Sequence, residues 1–207
     1  MSDTEPVLVL LVDDDREVTD ALAWLLESVK LRSRAFNAAQ AFLDALPSIP
    51  QPACAVLDLR MPEMSGLELQ QRMVEAGHDL PHLFLSAHGD VPAAVRAMQA
   101  GAVDFLQKPF NAEAFLASVQ RIVHLARERH AARTRERGLL EHLAGLSGRE
   151  REVLDGLIDG RTSKEIAKAL GISPKTVDAH RANLLRKMHV ETAAELVRLV
   201  CGRRQSR

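Results

Sequence analysis

The chain contains no tyrosine and only one tryptophan, and none of its six phenylalanines lies beyond Phe115. Base stacking on aromatic side chains, the usual means of holding single strands and RNA loops, is therefore closed to the C-terminal part of the chain. Cysteine is almost as scarce. Cys54, inside an apolar run, and Cys201, near the end, are too few and too badly placed for a disulfide framework. Both read as small buried apolar residues in a reducing compartment. No apolar run approaches the roughly 18 residues of a membrane span. The acidic start, Met1-Ser2-Asp3-Thr4-Glu5-Pro6, lacks the positive region of a secretory signal. A soluble, cytoplasmic protein with no membrane partner is expected.

Excess charge of one sign is also missing, with 27 Lys and Arg against 28 Asp and Glu in 207 residues. The balance conceals a division. Up to residue 120 there are 8 basic and 17 acidic residues, and beyond it 19 basic and 11 acidic. An acidic half joined to a basic half suggests a metal-using module followed by one that touches polyanions. The length suits one or two domains, and 46% hydrophobic content is enough for real cores.

What is present is organised around Ala53-Cys54-Ala55-Val56-Leu57, a buried-looking strand that runs into Asp58 and is stopped by Pro62 and Gly66. An acid at the carboxyl end of a strand in an open parallel sheet stands where ligands and chemistry collect. Three further strands end in polar groups. Val7 to Val12 leads into Asp13-Asp14-Asp15, Leu83-Phe84-Leu85 into Ser86, and Ala102 to Gln107 into Lys108-Pro109. The acids would together bind a hard divalent cation such as Mg2+. Lys108 and Ser86 would complement a phosphoryl group bound to that metal.

Helical periodicity fills the intervals. Ala21, Leu22, Leu25, Leu26 and Val29 mark a helix over 15–29, with Trp24 off the stripe. Residues 32–36 read as a strand, 38–46 as a helix, 67–76 as a helix, 80–85 as a strand and 92–100 as a helix. Asn111 caps a further helix whose apolar face is Phe115, Val119, Ile122 and Val123. Alternating strands and helices predict a doubly wound parallel sheet. Residues 126–138 are charged with little apolar face and read as an exposed helical linker, with Gly138 as its break. Their basic residues fit a solvated helix face better than a nucleic-acid arm.

The remainder is wholly helical, over 147–159, 163–170, 174–188 and 193–201. Ser147 with Glu150, Thr162 with Glu165, and Thr192 with Glu195 match the capping box, and Ser173-Pro174 begins the third helix. Gly171-Ile172-Ser173 between the second and third helices is a helix-turn-helix signature, with 174–188 as recognition helix. Val177, Leu184, Leu185 and Met188 form its core side. Lys175, Asp178, Ala179, Ala182 and Arg186 lie opposite. Ala179 and Ala182 allow close approach to base edges, and Asp178 could accept from cytosine N4. Lys164, Lys175, Thr176, Arg181, Arg186 and Lys187 are the expected phosphate contacts. His180 and Asn183 lie at the edge of that face, His180 more simply as a structural residue. Double-stranded DNA is the expected target.

The pieces VDDD, LDLRMPEMSG, LSAHGDV and AGAVDFLQKPF stand in the order and spacing of a receiver domain, and LSGREREVL with SPKTVDAH resembles a LuxR-type DNA-binding domain. Over nearly its whole length the chain resembles a two-component response regulator of the NarL/FixJ class. The resemblance implies an α/β flavodoxin-like receiver over 1–123, with a five-stranded parallel sheet in the order 2-1-3-4-5. It also implies a helical linker over 124–142 and an all-α four-helix LuxR-type helix-turn-helix domain over 143–207. By the same resemblance Asp58 is the phosphoacceptor for a sensor histidine kinase. Mg2+ is held by Asp13, Asp14, Asp58 and the Arg60 backbone carbonyl, with Asp14 the preferred direct ligand and Asp15 a helix cap. Lys108 pairs with the phosphoryl group, Ser86 stands where Thr is commoner, and Phe105 is the switch aromatic in place of the frequent Tyr. Phosphorylation would drive homodimerisation and promoter binding, with RNA polymerase as a further partner and activation as the usual output. A Mg2+-dependent hydrolase using Asp58 as nucleophile is the rival from another class, and the short connections leave it no cap insertion to position a substrate. A regulator governed by concentration or a protein partner is the third reading.

Overall fold

A computed structural model describes residues 6–87 and 91–202 of the protein. His88-Gly89-Asp90 of the LSAHGDV piece, the acidic first five residues and residues 203–207 lie outside the described residues. The chain divides between Ala132 and Arg133 into two units.

In the first unit the strands β1 (Leu8–Val12), β2 (Arg32–Phe36), β3 (Ala53–Asp58), β4 (His82–Ser86) and β5 (Asp104–Gln107) alternate with helices. These are α1 (Arg16–Ser28), α2 (Ala39–Ala45), α3 (Gly66–Glu75), α4 (Val91–Gln99) and the start of α5 (Ala112–Ala144). The strands pair in the order β2-β1-β3-β4-β5, all parallel. Period-two alternation sorts their side chains into two layers. Leu10, Val12, Ala55, Leu57 and Phe84 join Phe42, Leu69, Met73 and Ala97 from α2, α3 and α4. Val9, Leu11, Cys54, Val56, Leu83 and Leu85 join Leu22 and Leu26 of α1 and Phe115, Val119 and Ile122 of α5. Because both faces are covered, β3 and β4 are buried throughout and read as unbroken apolar runs.

The elements depart from expectation in small ways with local causes. The α1 stripe buries Thr19, Leu22 and Leu26, whereas Ala21 and Val29 are exposed. The helix stops at Ser28, Val29 caps it outside helical geometry at φ −105°, and Lys30 then turns the chain through the left-handed region at φ 61°. Trp24 is 72% exposed. β4 starts at His82 rather than Leu80, because Pro81 has no N–H for the ladder and supplies only its carbonyl, to Ala55. α3 starts one residue early, at Gly66, under a Ser65 cap that accepts from the Glu68 N–H.

The second unit packs the end of α5, α6 (Gly148–Ile158), α7 (Ser163–Leu170), α8 (Pro174–Lys187) and α9 (Ala193–Gly202). Its core comprises Val153, Leu154, Leu157, Ile166, Val177, Leu184, Met188 and Leu196, with Leu139 and Leu143 of α5 packed against it. Gly138 does not break α5. The helix runs on to Ala144 because Leu139 and Leu143 gain burial from it, and Arg137 pairs with Glu141 one turn on. That offsets the roughly 1 kcal/mol that a helical glycine costs relative to alanine. The capping boxes of α6 and α7 form in full. At α9 the box is altered: Glu195 N–H donates to Thr192 Oγ1, but the Glu195 carboxylate accepts from the Glu191 N–H rather than that of Thr192. No helix among the described residues is long and apolar enough to cross a membrane.

Candidate functional site

The parallel ladder brings Asp13, Asp58, Ser86 and Lys108 to one edge of the sheet. Asp58 is the last residue of β3 and 7% exposed, and Asp13 follows β1 at 4%. Lys108, just past β5, places its Nζ 2.7 Å from Asp13 Oδ2 and 2.7 Å from Asp58 Oδ1. Backbone contacts fix all three. Lys108 N–H donates to the Ser86 carbonyl at 2.7 Å, Leu59 N–H to that of Leu85 at 2.8 Å, and Asp13 N–H to that of Phe36 at 3.2 Å. The second oxygen of Asp58 accepts from the Arg60 N–H at 2.7 Å, and that of Asp13 from the Asp15 N–H at 3.0 Å. Asp15 caps α1 through the Glu17 N–H, as expected.

Burial pushes the Asp58 carboxyl above its usual pKa, and the hydrogen bonds from Lys108 and the Arg60 N–H pull part of that back. Burial disfavours the charged Lys108, but its hydrogen bonds to the two carboxylates outweigh that and hold its pKa above the lysine norm. The cluster is thus two buried carboxylates sharing one ammonium. It carries one negative charge in excess and presents only oxygen donors beside the lysine, a set suited to a hard divalent cation. Asp14 is exposed. Among the described residues no three His, Cys, Asp or Glu side chains are gathered as a metal cluster. Asp13, rather than Asp14, shares the Lys108 ammonium with Asp58. Ser86 is buried, and Phe105 of β5 is half-buried against the layer of α2, α3 and α4.

Asn37, which pattern reading did not single out, and Gly66, which it read only as a strand stop, build this edge. Asn37, after β2, donates from Nδ2 to the Asp13 carbonyl at 3.1 Å and holds the start of the β1–α1 loop. Gly66 donates its N–H to the Leu59 carbonyl at 2.9 Å. A Cβ at Gly66 would stand 2.3 Å from the Asp58 carbonyl oxygen, so only glycine lets α3 pass so close beneath Asp58. Between them the chain is drawn tight by a three-residue turn. Met64 N–H donates to the Pro62 carbonyl at 2.7 Å around Glu63, whose φ is 65°.

In the second unit, α7 ends at Gly171 in the left-handed conformation and α8 begins under a Ser173 cap with Pro174 in its first turn. Lys164, Lys175, Thr176, Asp178, Ala179, Ala182 and Arg186 are exposed, and Val177, Leu184 and Met188 are buried on the other side of α8. Thr176 Oγ1 lies 2.7 Å from Ser173 Oγ, inside the cap. Arg186 donates to Asn183 Oδ1 at 3.1 Å. Arg181 is half-buried and donates to Ser163 Oγ at 2.7 Å. Lys187, expected at a phosphate, is committed elsewhere. Its ammonium donates to the buried Glu150 carboxylate at 2.7 Å and to the Gly145 carbonyl at 3.2 Å. Those contacts, led by the Lys187 bond and joined by the Ser147 N–H, hold the Glu150 carboxyl down to about 2. The helical spacing of Lys187 with Arg186 carried no sign of this partner, which lies 37 residues away.

Comparison with known proteins bears on both units. Residues 9–120 match the family described as response regulator receiver domain, and residues 144–200 that described as bacterial regulatory proteins, luxR family. The transcriptional regulatory protein TdiR of Thauera aromatica is 45% identical over 93% of this chain and 84% of its own length. The transcriptional regulatory protein FixJ of Bradyrhizobium diazoefficiens is 41% identical over 92% of this chain and 93% of its own. The solved structure of response regulator StyR aligns with a TM-score of 0.84 at 41% identity, covering 94% of this chain and 98% of that one. The family is one of transcriptional regulators with a DNA-binding domain, not of enzymes. The chain belongs to the two-component response regulators of the NarL/FixJ class, in which a receiver domain is joined to a LuxR-type helix-turn-helix domain.

Proposed function

We propose that phosphorylation of Asp58 by a sensor histidine kinase switches this regulator into a DNA-binding homodimer. In this reading residues 1–123 are the receiver, 124–142 the helical linker and 143–207 the DNA-binding domain. The observation that carries it is the Lys108 ammonium, 2.7 Å from both Asp13 and Asp58 where the strands end. In the transfer, an Asp58 carboxylate oxygen forms the bond to phosphorus as the bond from phosphorus to the kinase's imidazole nitrogen breaks. Asp13, Asp14, Asp58 and the Arg60 carbonyl would hold Mg2+, which when bound would supply positive charge to offset that of the phosphoryl oxygens. Lys108 turns from the carboxylates to the new phosphoryl oxygens, with charge and position rather than covalent chemistry lowering the barrier.

The Ser86 hydroxyl follows the phosphoryl group, and Phe105 moves inward into the space it leaves. Phe105 has no hydroxyl, so its two positions differ by packing alone. α4, β5 and the start of α5 then become the dimer surface. Val91, Val95 and Met98, all exposed on α4, support that assignment, since an apolar stripe on a surface helix favours a partner. Dimerisation sets two recognition helices on half-sites about 10 base pairs apart. Asp178, Ala179 and Ala182 face the bases. Lys164, Lys175, Thr176, Arg181 and Arg186 hold phosphates, while Lys187 keeps to its structural role. Binding in the cytoplasm to a promoter, with RNA polymerase as the next partner, activates transcription.

Light scattering with Mg2+, before and after acetyl phosphate, tests the reading. Wild type is expected to pass from monomer to dimer and Asp58→Asn to remain monomeric. Equal dimerisation of the two proteins would contradict it.

A further inference from the structure

The groove face of α8 is wired to α7 through one hydroxyl. Ser163, the first residue of α7, donates from Oγ to Asp178 Oδ1 at 2.9 Å. The same Oγ accepts from Arg181 Nη1 at 2.7 Å. A serine hydroxyl has one hydrogen and a guanidinium can only donate, so the direction of both bonds is fixed. The arginine takes a lone pair, and the hydrogen must go to Asp178.

We infer that Ser163 is a positioning residue for base recognition, holding the Asp178 carboxylate as a fixed acceptor on the groove face. The inference rests on the proposal that α8 enters the major groove. Asp178 is exposed, and an exposed aspartate is free to rotate between staggered χ1 wells. One oxygen anchored to α7 confines it to one of them. Oδ2 has no donor among the described residues and is the oxygen left for an exocyclic amino group, cytosine N4 being the donor that suits a carboxylate. The arrangement also settles how an acid is tolerated near phosphates, since Arg181 places a positive group one hydroxyl away. Arg181 lies three residues from Asp178 on the same helix, a spacing at which the two side chains can pair directly. Ser163 stands between them. Without its hydroxyl, Arg181 would close on Asp178, and the acceptor would be spent inside the protein. Ser163 makes no base contact in this scheme, so its effect on sequence preference passes wholly through Asp178.

The full-length chain, phosphorylated with acetyl phosphate and Mg2+, would be used to select from a pool of random-sequence DNA duplexes, and the bound pool sequenced. Wild type should show one strongly preferred base pair in each half-site, by about tenfold or more over the alternatives. Asp178→Ala should abolish the preference at that position alone. Ser163→Ala should lower it to about threefold or less, Ser163→Thr should retain it, and Ser163→Ala with Asp178→Ala should match Asp178→Ala. The slope of log affinity against log salt on a non-selected duplex should flatten in Ser163→Ala by no more than about 0.9, the share of the one phosphate that Arg181 gives up when it closes on Asp178. Loss of the preference in Asp178→Ala but not in Ser163→Ala would overturn the role of Ser163 and leave the α8 reading intact. No change in Asp178→Ala would overturn both. Uniform loss of affinity in Ser163→Ala with the preference unchanged would reduce Ser163 to a helix-packing residue.

Discussion

At the scale of single residues, the site depends on a glycine as much as on its charged groups. With Asp58 O only 2.3 Å from where a Cβ would sit, Gly66→Ala forces α3 and the end of β3 apart. The loss should be about 1–3 kcal/mol, the usual cost of overpacking a close contact. Urea unfolding of the variant should show it, together with slower labelling by acetyl phosphate. Wild-type values on both counts would mean that the two elements are not held by that contact. A second residue-scale consequence concerns His82, buried with Nδ1 2.8 Å from the Leu80 carbonyl and Nε2 2.9 Å from Gln70 Nε2. The carbonyl requires a donor at Nδ1, so Nε2 accepts from Gln70, and the ring is neutral. Gln70 Nε2 also donates to the Ala97 carbonyl of α4 at 3.2 Å, while its Oε1 has no partner among the described residues. Burial lowers the His82 pKa below the ordinary 6.5. On acidification the unfolded chain therefore takes up its proton first, and the contribution to stability, complete above about 6.5, is lost as pH falls toward the folded value. The thermal midpoint of wild type should drop between about pH 7 and 5, and Gln70→Leu with His82→Leu should show a shallower drop. An equal drop in both proteins would assign the acid sensitivity to other groups.

At the scale of elements, α5 and α6 carry the clearest tests. Gly138 lies inside α5 with nothing within 4 Å of where a Cβ would stand. Gly138→Ala should therefore stabilise the protein by up to about 1 kcal/mol through helix propensity alone, seen as a raised thermal midpoint. An unchanged or lowered midpoint would place a functional bend at Gly138. The start of α6 depends on Glu150, which accepts from Ser147 N–H and Lys187. Lys187→Met leaves that carboxylate buried without its cation, at a cost of about 1–3 kcal/mol. The sign in pH follows from a folded value near 2 against an ordinary 4.5. The contribution is complete above about 4.5 and fades as pH falls toward 2, and in the variant that fading should be smaller. Acid titration of the far-ultraviolet dichroism of both proteins measures the difference. Elements of this kind were largely legible in the sequence. Strands buried on both faces must be continuous apolar runs, as β1 and β3 are, and helix starts carry Ser or Thr with Glu three residues on. Asp13, Asp58, Ser86 and Lys108 were legible for a related reason, since each stands at a strand end and parallel strands share one edge. What stayed hidden depends on distance through space rather than along the chain. The Glu150 partner of Lys187, the Asp58 carbonyl beside Gly66, and the burial that carries α5 past Gly138 leave no trace in local pattern.

At the scale of the whole molecule, the acidic first half and basic second half match a module that gathers carboxylates around a phosphoryl site and one that neutralises DNA. In the proposed function the second half supplies Lys164, Lys175, Arg181 and Arg186 to hold phosphates. Removing one of these cations should flatten the dependence of log affinity on log salt by about 0.9 for each phosphate it neutralised. Lys175→Ala should do so without changing base preference. The unchanged slope expected of Lys187→Ala, whose ammonium is engaged with Glu150, would separate the structural cation from the binding ones. In the proposed switch, a swing of the resting form from 1:99 to 99:1 would need about 5.5 kcal/mol. A doubly charged group newly held by Lys108 and a divalent cation is of the right order to supply it. All of this depends on one covalent event. The most direct test is the intact mass of the protein after acetyl phosphate and Mg2+, measured for wild type and Asp58→Asn under the same conditions. Wild type should gain the mass of one phosphoryl group, labile to hydroxylamine as an acyl phosphate is, and Asp58→Asn should gain none. An equal gain in Asp58→Asn, or none in wild type, would contradict the assignment of Asp58 as the phosphoacceptor.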